Sequence, residues 1–203
     1  MNKPRIFLGS SGKQAKLLQA ITRGLECFVA DMTPIWEAAR NHSVIEISES
    51  EYRGEASVEI DLPVEQVWDR LGHPEYRSIL LGSDRQVREN KERLGQGDVY
   101  QCYHGDHVVP SVILEWLPFA RMLTRDLIHV PVSTVQLLVD YTLAPTESGT
   151  VLAMACARPE GSTLARASFS AIAPTMMKTV EEALGVFKGR VETEAVLSAS
   201  SPP

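Results

Sequence analysis

At 203 residues, with 44% hydrophobic and 23% charged side chains, the chain can close one sizeable core and still carry an appendage. Its formal net charge of −6 and the lack of any Lys/Arg run exclude a nucleic-acid partner, which would need concentrated cations to release phosphate counterions. No apolar run reaches the ~20 residues of a membrane span and no secretory h-region follows the start. Cys27, Cys102 and Cys156 suit reduced buried thiols, so the reading is a cytoplasmic protein without membrane insertion, disulfide framework or zinc site.

From the N-terminus, Arg5-Ile6-Phe7-Leu8 reads as a buried strand and Gly9-Ser10-Ser11-Gly12 as a turn. Residues 13–28 read as a helix with Leu17, Leu18, Ile21, Leu25 and Phe28 inward. The turn lacks the spacing of a phosphate-binding G-x-x-x-x-G-K-[ST], and Gln14 follows Lys13 where a magnesium-binding hydroxyl is needed. A tight turn capped by Ser10 or Ser11 accounts for it. The run Pro4-Arg5-Ile6-Phe7-Leu8-Gly9-Ser10-Ser11-Gly12 resembles the opening of the TIR-like nucleotide-binding family of bacterial defence proteins, over residues 1–30 only. The further βα units and the catalytic acid of that family do not follow, so residues 1–40 are read as a βα appendage. A lone βα unit cannot cover both faces of its strand, which implies docking on the main domain, on a second copy in a homodimer, or on a partner chain.

Residues 29–52 read as a linker, with a short helix from Thr33-Pro34 through Ala39 and a strand over 44–47. Across Pro63 the apolar period then changes. Val58, Ile60 and Leu62 alternate as in a half-buried strand, whereas Val64, Val67, Trp68 and Leu71 fall at i, i+3, i+4, i+7, so a strand runs directly into a short helix. Proline suits the junction because its fixed φ is helical and its missing N–H would have no partner there. A second short helix follows from His73-Pro74. Strands are expected over 85–89, 99–103, 108–116, 121–127, 134–142 and 150–158, joined by short turns into an antiparallel meander. A long helix over 170–194 places Ile172, Met176, Val180, Leu184, Phe187 and Val191 on one face, and it begins or kinks at Pro174. Residues 197–203 read as a disordered tail.

This order of strand, two short helices, meander and long C-terminal helix over residues 52–195 resembles the START-like helix-grip superfamily, also called SRPBCC or polyketide-cyclase-like. The resemblance implies an α+β fold with a curved antiparallel sheet wrapped around the C-terminal helix. On this resemblance residues 41–196 are expected to form the domain and to hold a hydrophobic or amphipathic small molecule between sheet and helix, without a cofactor or metal. The lining expected from inward strand positions and the helix face is Trp68, Leu80, Tyr100, Cys102, His104, Val112, Leu114, Trp116, Met122, Leu137, Val139, Tyr141, Met154, Met176, Met177 and Val180. Methionines from three separate elements favour an adaptable pocket, although the same residues would also fill an ordinary core.

Tyr100-Gln101-Cys102-Tyr103-His104-Gly105-Asp106-His107 sets one Cys and two His at short spacing, but no second ligand pair stands at metal spacing elsewhere. Cys102-x-His104-Gly105, with the corner Glu115-Trp116-x-Pro118-Phe119, is similar to an SRPBCC subgroup attached to bacterial adenylate/guanylate-cyclase-like proteins. That resemblance implies a binding or regulatory module. The alternative is a cyclase- or dehydratase-type enzyme with His104 as base and Tyr141 as hydrogen-bond donor. A weaker alternative is a fragmentary TIR-like nucleotide-binding effector.

Overall fold

The computed structural model describes residues 45–89, 94–130 and 133–200; the appendage read over 1–40, Cys27 and the last three residues lie outside them. Strand β1 (Tyr52–Ile60) alternates half-buried and exposed positions up to the buried Ile60, and helix α1 (Val64–Leu71) begins directly after Pro63. Pro63 takes the N-cap position, where its carbonyl accepts from the Gln66 and Val67 amides at 3.0 and 3.2 Å. Helix α2 (Pro74–Leu80) starts on Pro74 behind His73, whose Nδ1 accepts from the Glu75 amide. There follow β2 (Arg85–Arg88), β3 (Val99–His104), β4 (His107–Leu117), β5 (Arg121–Val130), β6 (Ser133–Pro145) and β7 (Thr150–Glu160). Helix α3 (Thr163–Ser200) completes the described chain.

The seven strands form one antiparallel sheet in the order β1-β7-β6-β5-β4-β3-β2, a meander from β2 to β7 with β1 added beside β7. The fold is therefore α+β, with the long C-terminal helix laid across a curved sheet. The buried stripe of α3 runs through Phe169, Ala173, Val180, Leu184, Phe187 and Val191, the helical spacing that its sequence requires. These side chains meet Ile60, Leu71, Leu137, Val139, Tyr141 and Leu152 in the main core.

Several elements differ from those the sequence predicts. The helix begins at Thr163 and continues through Ser200, so Pro174 lies inside it and residues 197–200 are helical rather than disordered. Pro174 withholds an amide from the Ser170 carbonyl, but both residues are exposed, so water can satisfy that carbonyl. No strand forms over 45–47. That segment is held by side chains instead: the Ile45 amide donates to Glu115 Oε2 at 3.2 Å and its carbonyl accepts from Arg121 Nη1 at 3.1 Å. Arg121 also pairs with Asp140 through Nε and Nη2, each at 2.8 Å, and the Tyr52 hydroxyl donates to Asp140 at 2.9 Å.

The outer face of the sheet carries its own apolar cluster, Val112, Leu114, Leu123, Leu138 and Ala157, with Ile45 and Ile47 packed on it. Val112 and Leu114, expected on the inner side, belong there. Ile113 pairs with Thr124 and Glu115 with Leu123, so Leu114 is the extra residue of a bulge. The bulge shifts the alternation by one, which returns Trp116 to the inner side while Val112 stays outside.

Candidate functional site

The ladder between β4 and β5 runs from Leu117↔Arg121 to Ser111↔Asp126 and stops there. Beyond that pair β4 remains bonded to β3 as far as His107↔His104, and β5 to β6 as far as Val130↔Ser133. The sheet therefore splits. Pro110 stands at the split and has no N–H to offer, which is one physical reason the ladder does not continue past it.

The split opens into a cavity of about 360 Å³ under α3. Val109 and Pro110 wall it from β4, Leu127 and Ile128 from β5, Cys102 from β3, and Met176 from α3. Leu127 and Ile128, adjacent in β5, both border the space along the edge that β5 no longer shares with β4. Leu81, just past α2, closes another side, and His104, His107 and His129 complete the lining at the far end. The His107 and His129 rings lie 5.4 Å apart, and Gly105 makes the adjoining turn with φ +58°, a conformation that favours glycine.

At the opposite end, Ser111 and Asp126 close the cavity where the ladder resumes. Asp126 is 7% exposed, and its Oδ1 accepts from Ser111 Oγ at 2.6 Å. Behind Ser111 lies Arg77 of α2, fully buried. Its Nη2 donates to Ser111 Oγ at 3.2 Å, its Nε to Gln86 Oε1 at 3.3 Å, and its Nη1 approaches Met122 Sδ at 3.4 Å. The guanidinium carbon sits 4.5 Å from the Tyr100 ring centroid and 5.3 Å from that of Tyr141, so aromatic faces share the charge with Asp126. Burial raises the Asp126 pKa above its ordinary value, opposed by Arg77 and by the Ser111 and Thr124 hydroxyls.

Of the residues expected to line a cavity, Cys102, His104 and Met176 line this one. Trp68, Leu80, Tyr100, Met122, Leu137, Val139, Tyr141, Met154 and Val180 fill the core instead. Met177 packs on β1, where a Cβ on Gly54 would come within 2.5 Å of its Cγ. The Trp116 ring packs tilted against that of Trp68, centroids 4.4 Å apart, at the β4–β5 corner, with Phe119 beside them. The Glu115-Trp116-x-Pro118-Phe119 corner is thus accounted for by packing inward and by the Arg121 network outward. His104 and Tyr141 do not share the cavity lining. Tyr141 is fully buried, with its hydroxyl unpartnered and its pKa raised by that burial.

Arg77, Ser111 and Asp126 were not anticipated. Their signal was legible for Asp126: Met122, Thr124, Asp126 and Ile128 alternate, so an inward Met122 carries Asp126 inward with it. Arg77 heads the i, i+3, i+4 set with Leu80 and Leu81, an apolar helical position occupied by a charge. Among the described residues no group of His, Cys, Asp and Glu is placed to hold a metal ion, and no helix is long and apolar enough to cross a membrane.

No protein-family model and no curated protein matches the chain. Solved structures do resemble it. SA2116 from Staphylococcus aureus, described as a protein of unknown function, aligns with a TM-score of 0.52 at 11% identity, over 71% of this chain and 94% of that one. CV1439 from Chromobacterium violaceum aligns with a TM-score of 0.50 at 16% identity, over 70% and 98%. At these identities the likeness is one of fold.

Proposed function

We propose that the chain is a START-like (SRPBCC) domain that binds a hydrophobic or amphipathic small molecule in the cavity where β4 and β5 part beneath α3, acting as a cytoplasmic binding or regulatory module. The observation that carries this reading is the cavity's construction. Its volume of about 360 Å³ falls within the range usual for small-molecule sites, and its walls are aliphatic or sulfur-bearing around a few placed polar groups. Among the described residues, side chains from sheet and helix pack together in the main core, and the split in the sheet supports the reading of a place for a guest.

A fluorescence titration with the neutral probe N-phenyl-1-naphthylamine tests the reading. Saturable enhancement is expected for the full chain, and Met176→Arg, which puts a charge into the cavity, is expected to remove it. Glu181→Arg on the exposed side of α3 should leave binding unchanged. Failure of the unaltered chain to bind, or binding that survives in a folded Met176→Arg protein, would contradict it.

A further inference from the structure

The cavity's two long walls are apolar, but its inner end is a carboxylate. An ionised carboxylate offers about four acceptor positions. The Ser111 and Thr124 hydroxyls take up part of that capacity on Asp126, and Asp126 faces the cavity while being 7% exposed. A wholly apolar guest that expelled water from this end would leave the remaining positions unsatisfied, the costly case for any buried polar group.

The charge on the guest's polar group is constrained as well. Arg77 already balances Asp126 through Ser111, and its guanidinium is sealed behind that residue rather than presented to the cavity. An anionic head group would meet the Asp126 carboxylate before it met Arg77. A cationic head group would pair with Asp126 but leave a second positive charge buried beside Arg77. An uncharged hydroxyl fits both states of the acid: it donates to the carboxylate and accepts from the protonated form.

We infer that the ligand is an uncharged amphiphile carrying a hydroxyl group, which bonds Asp126 at the inner end while its apolar body lies against Val109, Ile128 and Met176. The inference rests on the cavity being the binding site proposed above.

Competition against N-phenyl-1-naphthylamine bound to the full chain tests it, using 1-octanol, 1-methoxyoctane, octanoate and octylammonium. Octanol is expected to displace the probe at about tenfold lower concentration than methoxyoctane, the effect of one hydrogen bond to a charged acceptor. Octanoate and octylammonium should both be weaker than octanol. In Asp126→Asn, with folding checked by melting, the order should reverse in favour of octanoate, because Arg77 is then unbalanced. If that variant does not fold, the order measured on the unaltered chain decides.

Equal displacement by octanol and methoxyoctane, or strongest displacement by either ion in the unaltered chain, overturns the inference while the bound probe leaves the cavity reading intact. A probe that does not bind at all removes both.

Discussion

Arg77 and Asp126 are buried together without bonding each other directly: the Ser111 hydroxyl stands between them, accepting from Arg77 Nη2 at 3.2 Å and donating to Asp126 Oδ1 at 2.6 Å. A bridged pair of this kind joins α2 to β4 and β5 at the point where the sheet begins to split. It also turns a hydrophobic interior into one with a defined polar end.

Removing one member strands the other. Arg77→Ala should cost about 3–5 kcal/mol, because the Asp126 charge is left buried without its cation. Replacing both, Arg77→Met with Asp126→Leu, should cost clearly less than Arg77→Ala alone, since neither charge then remains to be desolvated. Urea denaturation of the three proteins checks this. A double variant less stable than the single would contradict this account of the bridged pair.

Asp126 should titrate above the ordinary carboxylate range, with burial as the cause. Because its folded pKa lies above its unfolded value, the protonated group's contribution to stability is fully present below the unfolded pKa and is lost as pH rises through the folded one. Carboxyl ¹³C NMR, with Asp126 assigned by its absence in Asp126→Asn, gives the midpoint directly. A midpoint at or below the ordinary Asp value would mean that Arg77 and the hydroxyls outweigh burial.

Burial pushes the thiols of Cys102 and Cys156 up to about 12. Both should therefore be almost entirely protonated at pH 8 and react with iodoacetamide far more slowly than in the unfolded chain, as only the thiolate is nucleophilic. Peptide mapping after timed alkylation reads each cysteine separately. Labelling of Cys102 at the unfolded rate would contradict the burial that holds its thiol protonated.

Much of the fold is legible in the sequence because periodicity is local. The switch from period two to helical spacing at Pro63 marks β1 and α1, and the stripe from Ile172 to Val191 marks the inner face of α3. The cavity was harder to read because it depends on how strands relate to one another. The bulge at Leu114 inverts the facing of β4, which moves Val112 and Leu114 to the outer side, and no apolar pattern reveals it. Likewise, the expected lining of Leu137, Val139 and Met154 has the right facing but lies where α3 packs closely. Pro110 was the available clue, since a proline within a strand marks an edge or a break in the ladder. Asp126 was another, a charge at an inward position of β5.

The most direct measurement is a crystal structure of the full chain soaked with 8-bromo-1-octanol, with the bromine located by its anomalous signal. The expected result places the hydroxyl within hydrogen-bond distance of Asp126, the chain between Val109, Ile128 and Met176, and the bromine towards the His107 and His129 end. Bromine at the Asp126 end, or a ligand ordered elsewhere while the split between β4 and β5 holds only water, would contradict the account.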